Sequence, residues 1–515
     1  MKLSIRLLFI WITLAVPDQV NGQTKSAWGD QGNGTYINPV LNADYSDPDV
    51  IRVGEDYYMV CSEFHFMGMP VLHSKDLVNW TIIGQVYDRF EFDPAYSSNN
   101  RYAGGSWAPA IRFHQGRFWV YFCTPKEGLF MSTAQYPEGP WEPLVQVSAT
   151  AGWEDPCPFW DDNGQAYLGR SKVGAGPIII HKMSADGKTL LDDGVTVYTG
   201  PVAEGTKIHQ LNGYYYLSIP EGGVEQGWQT MLRSRNIYGP YEKKVVLETG
   251  STAINGPHQG SLVETPEGEW WFLHFQSVPA IGRVVHLQPM YWHDNWPVIG
   301  VDLDRNGIGE PVYVWKKPAV SDESTIMKPQ CSDDFESETL GLQWAWNHNP
   351  LDSAWSLSKL PGKLIFEAHY APGFLQAKNT ITQKVMGNNG KATVRLNGSQ
   401  FAEGQVAGLC LMAKEFALIG LEKKKDGIYI FTDIGGLKEE KKVNRYDVEL
   451  KLVISSVPKQ NQLFYSIDGQ KFIPIGDKFN ILSGNWKGPK VGLFSFNKEQ
   501  IGGSAVFDDF VYSFD

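Results

Sequence analysis

Asp47, Asp155 and Glu204 are three carboxylic acids that open similar stretches of this chain. Each stands ahead of a short apolar run and a Gly-containing turn that leads into an aromatic run. Asp47-Pro48-Asp49-Val50-Ile51 precedes Gly54-Glu55-Asp56 and Tyr57-Tyr58-Met59-Val60. Glu154-Asp155-Pro156-Cys157-Pro158 precedes Asp162-Asn163-Gly164 and Ala166-Tyr167-Leu168, and Glu204-Gly205-Thr206-Lys207-Ile208 precedes Asn212-Gly213 and Tyr214-Tyr215-Tyr216-Leu217. Two further copies open on Trp107-Ala108-Pro109 and His258-Gln259-Gly260. Hydrolysis of a glycosidic bond needs one carboxyl group to protonate the leaving oxygen and a second to activate water or attack the sugar. A third acid nearby keeps the proton donor protonated near neutral pH. Calcium also gathers carboxylates, but within one oxygen-rich loop, whereas these acids are scattered one per repeat.

Acids so far apart in sequence must be brought together by the elements that carry them. Starts roughly 50 to 60 residues apart are a period of propeller blades. Blades surround a central channel, so equivalent positions converge at one mouth. Asp47, Trp107, Asp155, Glu204 and His258 are therefore expected to meet. Alternating apolar residues broken by turn formers run to Pro311-Val312-Tyr313-Val314-Trp315 and predict strands throughout.

Lys316-Lys317-Pro318 through Lys328-Pro329 reads as a charged linker with little to bury. Beyond it, strands such as Lys363-Leu364-Ile365-Phe366-Glu367 and Val448-Glu449-Leu450-Lys451-Leu452-Val453 alternate with turns such as Asp468-Gly469, the pattern of a β-sandwich. The expected architecture is all-β: a five-bladed β-propeller over residues 30–320, followed by a concanavalin-like β-sandwich over 331–515. Residues 1–22 read as a secretory signal peptide, with Lys2 and Arg6 ahead of an apolar run too short to span a bilayer. Residues 24–36 read as a polar leader. A periplasmic or extracellular location is expected, with no membrane anchor.

The net charge of -12 and the absence of any basic run argue against nucleic acid and anionic membrane as partners. The 18 Trp among 515 residues suit surfaces that stack on sugars. The five cysteines match no zinc spacing and read as small buried residues.

Six motifs together resemble glycoside hydrolase family 43: Tyr45-Ser46-Asp47-Pro48-Asp49, the run Val71 to Trp80, Ser106-Trp107-Ala108-Pro109, Glu154-Asp155-Pro156, Ala203-Glu204-Gly205 and Gly256-Pro257-His258. The second half is similar to the sandwich fused to that family's β-xylosidases and α-L-arabinofuranosidases. The resemblance implies an inverting exo-acting glycosidase without an organic cofactor. Asp47 is then the general base, Glu204 the general acid and Asp155 the modulator of its pKa. Arg283 contacts substrate hydroxyls, and Phe64 and Trp107 wall the sugar pocket. His258 matches an axial histidine that in some members sits beside calcium or water. Lys207 departs from the family's Glu-Gly-Pro-His and is expected to place a cation near the acid. The resemblance also makes Asp333, Asp334, Asp508 and Asp509 candidates for a structural calcium site.

The substrate expected is a terminal α-L-arabinofuranosyl residue of a plant hemicellulose such as xyloglucan or arabinoxylan, or of its oligosaccharides. This expectation rests on the bulky segment Glu63 to Pro70, taken as pocket wall. β-D-Xylosidase activity on xylo-oligosaccharides is the alternative, an endo-acting hydrolase a further one, and a non-catalytic carbohydrate-binding protein the rival of another class.

Overall fold

Five sequence repeats become five four-stranded antiparallel sheets. The first comprises Asp49–Val53, Asp56–Val60, Pro70–Ser74 and Thr81–Gln85. The innermost strands of the next four are Trp107–His114, Trp153–Trp160, Lys207–Leu211 and His258–Glu264. Innermost strands of the first four blades touch in turn, and that of the fifth packs on the fourth blade's outer strands and returns to the first. In every blade the turn after the innermost strand carries a glycine at positive φ: Gly54, Gly116, Gly164, Gly213 and Gly268. No other atom approaches within 4 Å of a Cβ added at Gly54, Gly116, Gly164 or Gly268, so at these four the left-handed backbone, rather than space, selects glycine. The aromatic second strands pack between blades, as Tyr121, Trp153 and Leu168 do in one cluster and Leu217, Ile180 and Cys157 in another.

The computed structural model describes residues 28–64, 67–320, 325–481, 484 and 487–515. The expected signal peptide, residues 1–22, lies outside them. Among the described residues there is no α-helix, and no helix is long and apolar enough to cross a membrane.

The propeller closes through its ends. Gly29–Asp30, Thr35–Ile37 and Val314–Lys316 form a three-stranded sheet. Asn38 holds the fifth blade: its amide donates to the carbonyls of Leu287 and Val312, and its carbonyl oxygen accepts from the Leu287 N–H. Two expectations are corrected here. The leader is built in from Trp28 onward, because that indole is buried, donates to the Asp515 carbonyl and stacks on Phe514. Lys317 is not a solvated linker charge: its Nζ lies 2.6 Å from Asp30 and 2.8 Å from Asp76, both buried.

The C-terminal half is two seven-stranded sheets packed face to face. Ile381, Leu409, Ile419 and Leu493 of one sheet meet Val394, Leu450, Leu452 and Phe507 of the other. Each such side chain contributes roughly 1.5–3 kcal/mol by leaving water. The core is continuous with that of the first blade. Met67 pairs with Trp346, Ala43 with Met386, and Asn349 exchanges two hydrogen bonds with the Phe90 backbone. The sandwich thus braces the blade that carries Asp47.

Candidate active site

The acids converge through a shared backbone device. Asp47, Ala108, Asp155, Gly205 and Gln259 all adopt left-handed φ, between 39° and 60°, at the entrance to an innermost strand. These are the true equivalents around the ring. The sequence stations are therefore corrected by one residue in three blades, because Trp107, Glu204 and His258 each precede the left-handed residue. The acid preceding Asp155 is Glu154, so Glu154 holds in the third blade the position that Glu204 holds in the fourth. Sequence reasoning gave Glu154 no role, although aligning Asp-Pro, Ala-Pro, Asp-Pro, Gly-Thr and Gln-Gly would have exposed it. Gly205 answers two demands: its φ is +60°, and an added Cβ would meet Pro220 at 2.8 Å and Gln259 at 3.0 Å.

The entrances line a cavity of about 290 Å³ that includes Asp47, Phe64, Trp107, Glu154, Asp155, Glu204, His258 and Arg283. Every residue named from the sequence for the sugar site is present, whereas Lys207 is not. Phe64 and Trp107 meet edge to face at 5.8 Å and form an apolar wall. Asp47 is buried, accepts from Ser62 Oγ at 2.5 Å and pairs with Arg283 Nη1 at 2.7 Å. Ser62 Oγ accepts in turn from the Ala108 N–H, so the second blade orients the Asp47 carboxylate. Arg283 is fixed by its backbone N–H to Asp44 and by its guanidinium, 4.5 Å above the Phe275 ring.

Glu154, Asp155 and Glu204 bring carboxylate oxygens within 4.8 Å of one another. Asp155 accepts from Ser171 Oγ at 2.7 Å, the Gly205 N–H at 2.8 Å and Gln259 Nε2 at 3.2 Å. With three hydrogen bonds already aimed at it, Asp155 belongs to a titrating cluster rather than to a cation cage. Glu204 Oε1 lies 3.1 Å from His258 Nε2, off the line of a hydrogen bond, and both ring nitrogens of this buried histidine lack a hydrogen-bond partner.

Burial, then the charges of Asp155 and Glu204, push Glu154 up to about 9. Burial and Glu204 push Asp155 up to about 6. Burial works in the same sense on Glu204, but His258 and Arg283 outweigh it and hold Glu204 below the usual carboxylate range. The expectation that Asp155 holds Glu204 high is therefore not the balance in this pocket. The raised groups are Glu154 and Asp155, because His258 and Arg283 face Glu204 instead.

Lys207 does not approach the acid. Its Nζ lies 3.6 Å from Asp49 and 3.3 Å from the Pro109 carbonyl. Burial opposes ionisation of Asp49, but Arg112 and Lys207 hold its pKa below the usual value. The segment Glu63 to Pro70 is also reassigned in part. Glu63 is buried between Lys384 and Lys490, and Gly68 and Pro70 face the sandwich; of its described residues only Phe64 lines the sugar cavity. His65 and Phe66 lie outside the described residues. The segment's bulk is thus spent largely on docking the sandwich.

Of the candidate calcium acids, Asp333, Asp334 and Asp509 line one surface cavity and Asp508 does not. Asp333 accepts from the Phe335 N–H and Trp344 Nε1, Asp334 accepts from the Glu336 N–H, Asp508 pairs with Lys363, and Asp509 lies 3.5 Å from Arg395. Among the described residues these four are not brought together as a group able to share an ion.

The profile of Glycosyl hydrolases family 43 matches residues 36–297, the propeller and its pocket. The chain belongs to that family. Residues 332–513 match the Beta xylosidase C-terminal Concanavalin A-like domain. A relative from Xylanibacter ruminicola, whose name assigns it provisionally to the beta-xylosidases, is 54% identical over 93% of this chain and 89% of its own. A non-reducing end alpha-L-arabinofuranosidase of Bacteroides ovatus is 31% identical over 81% of this chain and 79% of its own. The solved GH43 BlXynB protein of Bacillus licheniformis superposes with a TM-score of 0.82 at 28% identity, covering 93% of this chain and 99% of that one. The chain is thus a family 43 glycoside hydrolase of all-β architecture, a propeller with a concanavalin-like sandwich.

Proposed function

We propose that this glycosidase is an inverting exo-β-D-xylosidase that removes terminal xylose from xylo-oligosaccharides. The observation that carries the reading is the pocket: about 290 Å³, walled by Phe64 and Trp107, with Asp47 and Arg283 facing Glu204 and its acidic neighbours. That volume lies at the lower end of the roughly 300–1,000 Å³ of small-molecule sites, which suits one terminal sugar and not a polymer groove. The name of the 54% identical relative supports xylose over arabinose as that sugar.

In this mechanism Asp47 takes a proton from a water molecule, whose oxygen attacks the anomeric carbon. The bond to the leaving oxygen breaks, and Glu204 supplies that oxygen with a proton. Arg283 holds the Asp47 carboxylate and presents its remaining N–H groups to sugar hydroxyls. Asp155, tied to the Gly205 N–H, fixes the backbone beside Glu204. Catalysis itself needs no organic cofactor. The apolar run behind Lys2 and Arg6 supports action in the periplasm or outside the cell.

α-L-Arabinofuranosidase activity is the second reading, favoured by the Bacteroides ovatus relative. The deciding measurement is kcat/KM on p-nitrophenyl β-D-xylopyranoside and α-L-arabinofuranoside side by side. A preference of about tenfold or more for the xyloside is expected, the scale on which pocket contacts discriminate. The opposite preference would move the assignment to arabinose, and cleavage of neither would remove the exo-pentosidase reading.

A further inference from the structure

Glu154 is the acid that the proposed mechanism leaves unused. It lines the cavity beside Val173, Gly174 and Ala175, and it occupies in its blade the position of Glu204 in the next. The three clustered acids differ in what they receive. Asp155 accepts three hydrogen bonds, and Glu204 faces His258 and Arg283. Glu154 accepts one long bond, from the Ala175 N–H at 3.3 Å. A buried carboxylate with so few donors keeps its proton in preference to better-served neighbours.

Resting on the mechanism above, we propose that Glu154 is the proton store of this pocket, holding between turnovers the proton that Glu204 delivers to the leaving group. Oxygens within 4.8 Å are close enough for one water molecule to bridge. The exchange balances. With substrate bound, Glu154 passes its proton through water to the Glu204 carboxylate. As the glycosidic bond breaks, its electron pair goes to the leaving oxygen, which takes that proton from Glu204, and Glu154 is reloaded from solvent at the cavity mouth. The proton collected by Asp47 leaves to water, so each turnover consumes one water and no net proton.

The groups facing Glu154 fit this assignment. Asp155 on its own strand, Glu204 from the fourth blade and Asp47 from the first are all acidic and favour its neutral form. Cys123 lies behind it on the second blade with its thiol pushed up by burial, and Arg170 is stacked at 3.7 Å on Trp153 instead of pairing with Glu154. Burial together with Asp155 and Glu204 pushes Glu154 up to about 9, which favours its neutral form.

In a coupled cluster the last proton is lost at a macroscopic pKa set by all its members. Removing the site that holds the proton best lowers that value. The test is the pH dependence of kcat/KM on xylobiose, an unactivated substrate, beside an aryl xyloside with a good leaving group. Glu154→Gln should move the alkaline limb for xylobiose to lower pH by about one unit or more, while Glu154→Asp, which keeps a carboxyl, should stay near wild type. The aryl substrate needs no proton from Glu204, so its alkaline profile should not shift. A merely structural role would change the rate without moving the limb, and an unmoved limb in Glu154→Gln would overturn the proposal. Infrared titration of Glu204→Gln reads the stored proton with Glu154 intact. A protonated carboxyl band persisting above about pH 7 is expected, and its loss below about pH 5 would equally overturn it. If Glu204→Gln lost xylobiose and aryl xyloside activity alike, the acid assignment would fall and the store with it. A limb that responds to Glu204 but not to Glu154 would remove the store alone.

Discussion

Glu63→Gln tests whether the sandwich holds the sugar pocket together. Glu63 adjoins the Phe64 wall and is buried against two lysines of the sandwich, Lys384 at 3.1 Å and Lys490 in closer contact. The lysine side chains are only 10% and 4% exposed, so the substitution removes a counter-charge that water cannot replace. Breaking a buried pair from one side costs about 3–5 kcal/mol. The two lysines should divide that cost unequally. Burial pulls Lys490 from 10.5 down to about 8 even with Glu63 present. At pH 7 it can relax by losing its proton, at an added cost on the order of 1 kcal/mol. Lys384 has further to fall, because with Glu63 present the charge of that carboxylate overrides burial and holds its pKa above the ordinary lysine value, and the substitution removes that support. Most of the loss therefore falls on Lys384, and a total of about 3–4 kcal/mol is expected by urea denaturation at pH 7. The sign of the pH dependence follows from linkage. In the folded variant both lysines titrate below the value of about 10.4 that they have when unfolded, so the unfolded state binds more protons and stability rises with pH. The deficit should shrink as pH rises above about 7, because the variant's lysines shed their protons at lower pH than those of the wild type. On p-nitrophenyl xyloside KM should rise several-fold with a smaller change in kcat, since Phe64 loses its brace. A loss under about 1 kcal/mol at pH 7, or a deficit independent of pH, would refute the reasoning.

Asp47→Asn should lower kcat/KM on xylobiose by roughly 10²–10⁴-fold, the worth of a general base, while the Ser62 contact keeps the side chain in place; activity within tenfold of wild type would remove Asp47 from that role. Glu204→Gln should depress xylobiose cleavage by at least about 10²-fold and spare aryl xylosides with good leaving groups, as read from the two kcat/KM values. NMR of the first-formed sugar should show the inverted anomer, α-xylose from a β-xyloside, and a retained product would overturn the single-displacement mechanism. Lys207→Met should destabilise the propeller by a few kcal/mol through the buried Asp49 while leaving the alkaline limb in place, since Lys207 is engaged by Asp49 and the Pro109 carbonyl; a displaced limb would return Lys207 to the acid.

The sequence alone determined the architecture and three of the acids. Repeats set off by Gly-containing turns and aromatic strands specify blades, because a strand's burial pattern and a turn's positive φ are local properties written in residue type. Five blades around an axis then require Asp47, Asp155 and Glu204 to meet. Tertiary structure decided what depends on register and on neighbours remote in sequence. A one-residue offset distinguishes the left-handed Asp155 from Glu154 before it and makes Glu154 the counterpart of Glu204. The direction of Lys207 followed from Asp49, which offers a buried counter-charge that no spacing within Glu204-Gly205-Thr206-Lys207 reveals. Glu63, placed by its sequence neighbours in the pocket wall, turned to lysines more than three hundred residues away. A proton is likewise shared according to which carboxyl receives the most donors, and those donors come from three different blades. Pattern along the chain fixes which residues can arrive at one place; the field there is the sum of everything that arrives.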